Sequence, residues 1–107
     1  MTAGTQQYTS RNGTTTTMSG AADLTITAAS DKVQLVDPGG SSRNLDLLFV
    51  DTSETGVTTS FCEVYIQNEA DGAETLTIRD GNNSDNVLST IDQNYGAHFA
   101  WDGTGWV

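Results

Sequence analysis

The chain has 107 residues, enough for one domain, and only 36% of them are apolar. Fourteen acidic residues against four basic ones give a net charge of −10. Phosphate backbones and anionic lipids are bound by clustered Lys and Arg, and the basic residues here lie scattered along the chain. The composition therefore argues against nucleic acid and membrane as partners. The small apolar content favours a thin core that neighbouring subunits complete.

The first twenty residues are expected to form a flexible N-terminal arm. Beyond Met1, this segment has only Tyr8 and Met18 as large apolar side chains, so burial cannot offset the entropy lost on ordering. Thr is a good strand former when another sheet supplies an edge, so we expect the arm to become extended on binding. A frayed terminus or an expression remnant would explain the same composition. Residues 21–107 are expected to form a single β domain.

Short segments of alternating apolar and polar residues follow one another from residue 22 onward. This period of two is typical of half-buried strands, and turns rich in Gly, Asn and Asp separate the segments. The predicted strands are 24–28, 32–36, 43–50, 61–67, 76–80, 87–91, 95–101 and a last short one ending at Trp106-Val107. In 43–50, Leu45, Leu47 and Phe49 lie on one face and Leu48 and Val50 on the other, which predicts a central strand covered on both faces. The pattern predicts an all-β fold, a small antiparallel β-sandwich or barrel with an extended N-terminal arm.

The turn Asp80-Gly81-Asn82-Asn83-Ser84-Asp85 offers several oxygen ligands in a short span, as calcium loops do. However, Asp85 stands where such loops need Gly, and Ile91 stands where they need a terminal Glu. An Asx-rich hairpin turn explains the residues better. We expect neither a metal nor another cofactor.

Catalytic motifs are not found in the sequence. Cys62 and His98 are the only cysteine and the only histidine, and a buried thiol is a better interpretation of Cys62 than a nucleophile. There is no G-x-S-x-G, no H-E-x-x-H and no Gly-rich phosphate loop followed by a helix. Acidic residues are plentiful, but nothing marks a pair that would share a closed cleft. The protein is therefore expected not to be an enzyme.

Aromatic residues concentrate near the C-terminus, where Trp101 and Trp106 flank the turn Asp102-Gly-Thr-Gly. Exposed rings beside acids can stack on sugars, so a glycan site is one interpretation. In small β domains, a Trp beside a tight hairpin more often closes the core or packs against a partner subunit. The second interpretation is favoured, and it predicts core or subunit-interface positions for four aromatic residues: Tyr95, Phe99, Trp101 and Trp106.

Five short motifs occur in a particular order: Leu24-Thr-Ile-Thr, Val33-Gln-Leu-Val-Asp-Pro-Gly-Gly, Val64-Tyr-Ile-Gln-Asn, Glu74-Thr-Leu-Thr-Ile-Arg-Asp and Phe99-Ala-Trp-Asp-Gly-Thr-Gly-Trp. This order resembles that of the small β modules in structural proteins of tailed phages, and it is similar to the order in capsid decoration (cement) proteins and in fibre domains. The resemblance implies a homotrimer at local three-fold positions on the outer surface of a phage head. There it would clamp adjacent major capsid proteins and stabilise the lattice. The implied location is the virion, after assembly in the host cytoplasm.

In such decorators an N-terminal arm often pairs with a strand of the capsid protein. The resemblance therefore implies a capsid-binding arm made of Thr5, Gln6, Gln7, Tyr8, Thr9, Thr14, Thr15, Thr16, Thr17 and Met18. The alternative is a receptor- or glycan-binding module of a tail fibre or head fibre, with the aromatic C-terminal end as the sugar site. Fibre modules usually belong to chains with repeat shafts, and no such repeat is present here. Decoration is therefore the favoured expectation.

Overall fold

A computed structural model describes residues 15–27, 30–49 and 62–107, and the regular structure in these ranges is entirely β. The strands in these ranges are β1 (Thr16–Thr17), β2 (Ala22–Ile26), β3 (Val33–Asp37), β4 (Arg43–Phe49), β5 (Cys62–Asn68), β6 (Leu76–Asp80), β7 (Asn86–Ile91) and β8 (Gly96–Trp101). They form two four-stranded sheets that pack around one core. The predicted all-β sandwich is confirmed. This part of the chain contains no helix that could cross a bilayer.

The chain alternates between the two sheets as far as β6. The first sheet has the strand order β1-β3-β5-β8, and the second has the order β2-β4-β6-β7. Within each sheet the first three strands run parallel, since the chain returns to a sheet only after passing through the other. β7 and β8 then run antiparallel to β6 and β5, respectively. The pairs β1–β2, β3–β4 and β5–β6 thus form three layers of a parallel stack. The antiparallel strands β7 and β8 end this stack.

The predicted antiparallel arrangement is wrong for most of the molecule, because four of the six strand pairings in the described ranges are parallel. Parallel and antiparallel strands share a side-chain period of two, so alternation predicts the buried face without predicting strand direction. The turn after β3 shows the difference. This turn carries the chain across the core to β4 in the opposite sheet. A hairpin would instead have returned the chain to the first sheet.

The turns after β1 and after β3, which both lead from the first sheet to the second, lie against each other. Gly39 has φ +86°, and a Cβ on it would lie 2.6 Å from the carbonyl oxygen of Met18. Only Gly combines this left-handed backbone with so close an approach. The Met18 N–H donates to the carbonyl of Asp37 at 2.8 Å, and the Gly39 N–H donates to the Asp37 carboxylate at 2.8 Å. The ladder between β1 and β3 therefore extends into the turns.

The core contains the inward positions of both sheets. β5 shows the pattern clearly: Cys62, Val64 and Ile66 are fully buried, and the residues between them are half-exposed. The buried apolar cluster consists of Met18, Ile26, Val36, Leu45, Leu47, Cys62, Val64, Ile66, Leu76, Ile78, Ile91, Phe99 and Trp106. Burial of each large aliphatic side chain stabilises the fold by about 1.5–3 kcal/mol relative to exposure. This cluster therefore provides most of the driving force for packing the two sheets together.

The expected boundary of the arm at residue 20 is corrected by the packing of Met18. Its side chain is only 7% exposed and belongs to the core cluster. Thr16 and Thr17 pair with Val36 and Asp37 at the edge of the first sheet. Residues 16–18 are therefore part of the β domain, although composition had assigned them to the arm. The remaining arm residues proposed from the resemblance lie outside the described ranges, except Thr15, which precedes β1 and is exposed.

Candidate functional site

The calcium-like turn after β6 is held by its own hydrogen bonds. Asp80 is 4% exposed, and its Oδ1 accepts a hydrogen bond from the Asn82 N–H at 3.0 Å. Its Oδ2 accepts from the Asn83 side-chain amide at 2.9 Å and from the Trp106 N–H at 3.1 Å. Three protein donors thus occupy the carboxylate. In the described ranges, no group of three or more His, Cys, Asp and Glu side chains is placed to hold a metal ion.

The same turn connects two distant parts of the chain. The Asn82 side chain forms two hydrogen bonds with the backbone of Phe49, at 2.8 Å to its N–H and at 3.2 Å to its carbonyl. The Asn83 amide also donates to the carbonyl of Thr104 at 2.9 Å. The Asx-rich segment therefore fastens the end of β4 and the C-terminal turn to β6. This is a structural role.

The aromatic residues near the C-terminus divide into two groups. Phe99 and Trp106 are 4% and 3% exposed, respectively, and lie in the core. Trp101 stacks on Phe49 with ring centroids 4.9 Å apart, and it meets Trp106 edge-on at 5.7 Å. Tyr95, by contrast, is 68% exposed and precedes β8 at its far end. Three of the four predicted residues thus pack together, and the fourth stands apart.

The turn between Trp101 and Trp106 is closed by the carboxylate of Asp102. Its Oδ1 accepts hydrogen bonds from the N–H groups of Thr104 and Gly105, both at 2.9 Å, and from the Thr104 hydroxyl at 3.1 Å. These donors, with the backbone N–H of Thr104 contributing most, lower the pKa of Asp102. The C-terminal turn is therefore well ordered by local contacts.

Asn68 organises the opposite end of the sandwich, which sequence reasoning did not identify. Its side chain is fully buried, and the amide nitrogen donates to the carbonyls of Glu74 and Ile91 at 3.0 and 2.9 Å. The amide oxygen accepts from the Ala70 N–H at 2.9 Å. The only signal for this role in the sequence was an Asn at the end of an alternating strand. A side-chain amide buried there has to be hydrogen-bonded, because leaving it unpaired is costly.

The backbone of Asn68 also fixes the turn between β7 and β8. Its N–H donates to the carbonyl of Tyr95 at 2.8 Å, and its carbonyl accepts from the Asn94 N–H at 3.0 Å. Within the turn, the Tyr95 N–H donates to the carbonyl of Asp92 at 3.0 Å. Asn94 adopts φ +69°, a left-handed conformation that Asn tolerates. The exposed ring of Tyr95 is thus presented by a restrained turn.

A concave surface opens beside this turn, between β7 and β8. The cavity has a volume of about 310 Å³ and is lined by Ser89, Thr90, Ile91, Asp92, Tyr95, Gly96 and Ala97. Its lining combines hydroxyl groups, one carboxylate and one exposed aromatic ring above apolar core residues. A second concave surface of about 220 Å³ lies near β4 and β6 and contains no aromatic ring. The cavity between β7 and β8 is therefore the better candidate for a small-molecule site.

Hydrogen-bonded side-chain pairs occupy the outer faces of both sheets. Arg79 holds Asp46 through two hydrogen bonds of 2.6 and 2.9 Å, and Asp85 lies 3.7 Å away. The hydrogen bond to Asp46 is the main cause of a raised pKa at Arg79. On the first sheet, Glu63 and His98 meet at 2.6 Å across β5 and β8. These contacts pair neighbouring strands.

Cys62 and His98 lie on opposite faces of the first sheet. Cys62 is fully buried in the core, and it pairs with Trp101 on the neighbouring strand β8. His98 is exposed and stands opposite Tyr65 on the outer face. A thiolate–imidazole pair cannot form through the sheet, so these two residues do not make a catalytic dyad.

Comparisons with known proteins identify no relative: no family model matches the chain, and neither a curated protein nor a solved structure matches it significantly.

Proposed function

We propose that the protein is a structural virion protein, without catalytic activity, that binds the outer surface of a phage head as a homotrimer and stabilises the lattice of the major capsid protein. The order of motifs from Leu24 to Val107 supports this proposal through its resemblance to decoration proteins. The net charge of −10 and the small two-sheet sandwich are compatible with an exposed surface protein. The proposed location is the virion, after assembly in the host cytoplasm.

The observation that carries the proposal is the N-terminal edge that the described strands leave on the parallel stack. β2 is the outer strand of the second sheet, and no described strand pairs with its outer side. Ala22, Asp23 and Thr25 on this strand are exposed. An edge strand presents unpaired N–H and C=O groups, to which an extended segment of another chain can add. A strand from the capsid protein would pair with the outer side of β2, as β4 pairs with its inner side.

The residues of this edge also discourage pairing with a second copy of itself. In an antiparallel pair of two β2 strands centred on Asp23, the two Asp23 carboxylates would lie directly opposite each other, and like charges there are unfavourable. The short β1 strand presents a similarly limited edge on the first sheet. The N-terminal side therefore suits a different chain better than the same chain. Contacts within the proposed trimer would use other surfaces.

The stabilising effect of decoration would follow from mass action. A protein that binds the expanded lattice and not the unexpanded one lowers the free energy of the expanded form by RT ln(1 + [L]/Kd) for each site. Many sites on one head add their contributions. Even modest affinity per site would then oppose the internal pressure of packaged DNA.

Sedimentation tests the proposal directly. The purified full chain should sediment as a species of about 34 kDa, three times the 11.3 kDa of one chain. It should also bind saturably to expanded heads of its own phage and raise the temperature at which those heads lose integrity. Unexpanded heads serve as the control and should bind little protein. A monomer of 11.3 kDa that ignores both kinds of head would refute the proposal.

The alternative of a fibre module with a sugar site at the aromatic C-terminal end receives no support from the contacts of Trp101 and Trp106. Trp106 is buried, and Trp101 has Phe49 stacked on it. A sugar stacks on a free ring face, which the buried Trp106 lacks and which the partly exposed Trp101 offers on one side at most. The C-terminal pair is therefore not proposed as a glycan site.

A further inference from the structure

We propose that the cavity between β7 and β8 binds one neutral pyranose unit of a saccharide, stacked on Tyr95 and hydrogen-bonded to Asp92. This proposal is independent of head binding, because it depends only on the β7–β8 side of the sandwich. The proposed capsid edge lies on the opposite side, at β1 and β2. Each proposal can therefore fail without the other.

The position of the cavity follows from the strand order. β7 and β8 are the last strands of their sheets and lie on the same side of the sandwich. Ile91 is 3% exposed, and Ala97 packs against the core, so both provide an apolar floor. The volume of about 310 Å³ lies at the low end of the range of about 300–1,000 Å³ typical of ligand sites. It suits one sugar ring better than an extended peptide.

Tyr95 provides the stacking surface. Its side chain is 68% exposed, although its backbone is held by hydrogen bonds to Asn68 and Asp92. The neighbouring Gln93 adds a side-chain hydrogen bond to the carbonyl of Ala70 at 3.2 Å. A ring carried on a restrained turn loses little conformational freedom when a ligand binds. Tyrosine also combines an apolar face for the C–H groups of a sugar with a hydroxyl that faces water.

The polar lining complements the hydroxyl groups of a sugar. No hydrogen bond in the described part of the chain engages the side chains of Ser89, Asp92 or Tyr95, so their polar atoms are available. A carboxylate can accept hydrogen bonds from two neighbouring hydroxyls, and a serine hydroxyl can both donate and accept. Asp92 and Ser89 therefore offer the mixed pattern that a polyol requires.

Charge decides which sugars fit. The cavity is lined by one carboxylate and no basic side chain, and the chain has a net charge of −10. Uronic acids and sialic acids would be repelled, as would phosphate and sulfate groups. A quaternary ammonium group could also be attracted to Tyr95 and Asp92. It would leave the Ser89 hydroxyl without a role, so we favour the neutral sugar.

Amide NMR of the full chain tests the proposal with defined probes. We expect saturable shifts at Ser89, Tyr95 and Gly96 on titration with at least one of four methyl pyranosides: glucose, galactose, mannose and N-acetylglucosamine. Glucuronate and choline chloride are the charged comparisons, and each should bind more weakly. No saturable shift with any neutral pyranoside would overturn the proposal. A preference for glucuronate or choline would overturn it as well.

Variants connect the binding to the named side chains. Tyr95→Ala should weaken binding about tenfold by removing the stacking ring, and Tyr95→Phe should keep most of the affinity. Asp92→Asn should weaken binding several-fold, because one oxygen acceptor is lost. Val87→Ala, at an exposed position of β7 outside the cavity lining, is the matched control and should bind like the wild type. Undiminished binding by a folded Tyr95→Ala protein would contradict the proposed site.

Discussion

The side-chain Oδ2 of Asp80 accepts a hydrogen bond from the backbone N–H of Trp106 at 3.1 Å, across 26 positions of the chain. The two residues are 4% and 3% exposed, so water cannot replace this contact. Through it, the end of β6 holds the C-terminal segment against β8. The stability of this end of the sandwich therefore depends on one buried carboxylate.

Replacing Asp80 should destabilise the protein strongly. Asp80→Ala leaves the N–H of Trp106 and the donors of Asn82 and Asn83 without their acceptor, which should lower the free energy of unfolding by about 3 kcal/mol. Urea unfolding followed by tryptophan fluorescence measures the change. Asp71→Ala, at an exposed position, is the control and should change stability by less than about 0.5 kcal/mol. Equal stability of both variants would contradict the role assigned to Asp80.

Asn68 should be equally sensitive at the other end of the sandwich. Asn68→Ala leaves the carbonyls of Glu74 and Ile91 and the N–H of Ala70 unpaired, and we expect a loss of about 3 kcal/mol. Hydrogen exchange at the Ala70 amide should accelerate beyond the global change in stability. Asn86→Ala, at an exposed position, should be nearly neutral. Retained protection of Ala70 in the Asn68 variant would count against this account.

Gly96 should tolerate no side chain, whereas Gly40 should tolerate one. A Cβ at Gly96 would collide with the ring and hydroxyl of Tyr65 and would lie 2.8 Å from Oε1 of Gln67. Gly96→Ala should therefore cost about 2 kcal/mol through overpacking. Gly40 is exposed with nothing within 4 Å of the added Cβ, so Gly40→Ala should leave stability unchanged or slightly raised. Thermal unfolding of both variants makes the comparison, and equal midpoints would contradict it.

The carboxyl of Asp102 should titrate below its ordinary pKa of 3.8, because the N–H groups of Thr104 and Gly105 donate to its charged form. Since the pKa is lower in the folded state, the stabilising contribution is present above the unfolded-state pKa. It is lost as the pH falls through the folded-state pKa. Carboxyl-detected NMR titration measures the midpoint directly. Thr104→Ala should move the midpoint only part of the way back, because the backbone donors remain.

Two N-terminal truncations should behave differently. Removal of residues 1–14 keeps β1 and Met18, so the β domain should retain its stability while binding to heads weakens. Removal of residues 1–20 also deletes the Met18 side chain from the core and should cost at least about 2 kcal/mol. Met18→Ala in the full chain is the matched control for this difference. Undiminished head binding after removal of residues 1–14 would argue against a capsid-binding arm.

The buried face of most strands could be predicted from alternation alone. Leu45 and Leu47 were predicted on one side of a central strand, and both are buried in β4 between β2 and β6. Leu48, predicted on the other side, is half-buried over Gly81, where an added Cβ would lie 2.6 Å from the Leu48 side chain. The predicted central position of β4 is therefore confirmed, but its outer face is only partly covered.

Strand direction and the candidate cavity could not be predicted in this way. Tyr95 is close in sequence to Phe99 and Trp101, which suggested one cluster, but an extended chain rises about 3.3 Å per residue. β8 therefore carries Trp101 to the opposite end of the sandwich from Tyr95. Tyr95 and Ser89 instead line one cavity, because the chain turns back between β7 and β8 at residues 92–95. Contacts between residues that are distant in sequence, such as Asp80 with Trp106, leave no local pattern.

The repeated parallel layers also determine how the number of strands in such a molecule can change. Thr16 pairs with Val36, twenty positions later, and Ala22 pairs with Leu45, twenty-three positions later. A duplication of about that many residues would add one complete layer to both sheets while leaving β7 and β8 to terminate the stack. Evolution can therefore lengthen or shorten this architecture by whole layers. The cavity between β7 and β8 would be retained each time, because these two strands would still end the stack.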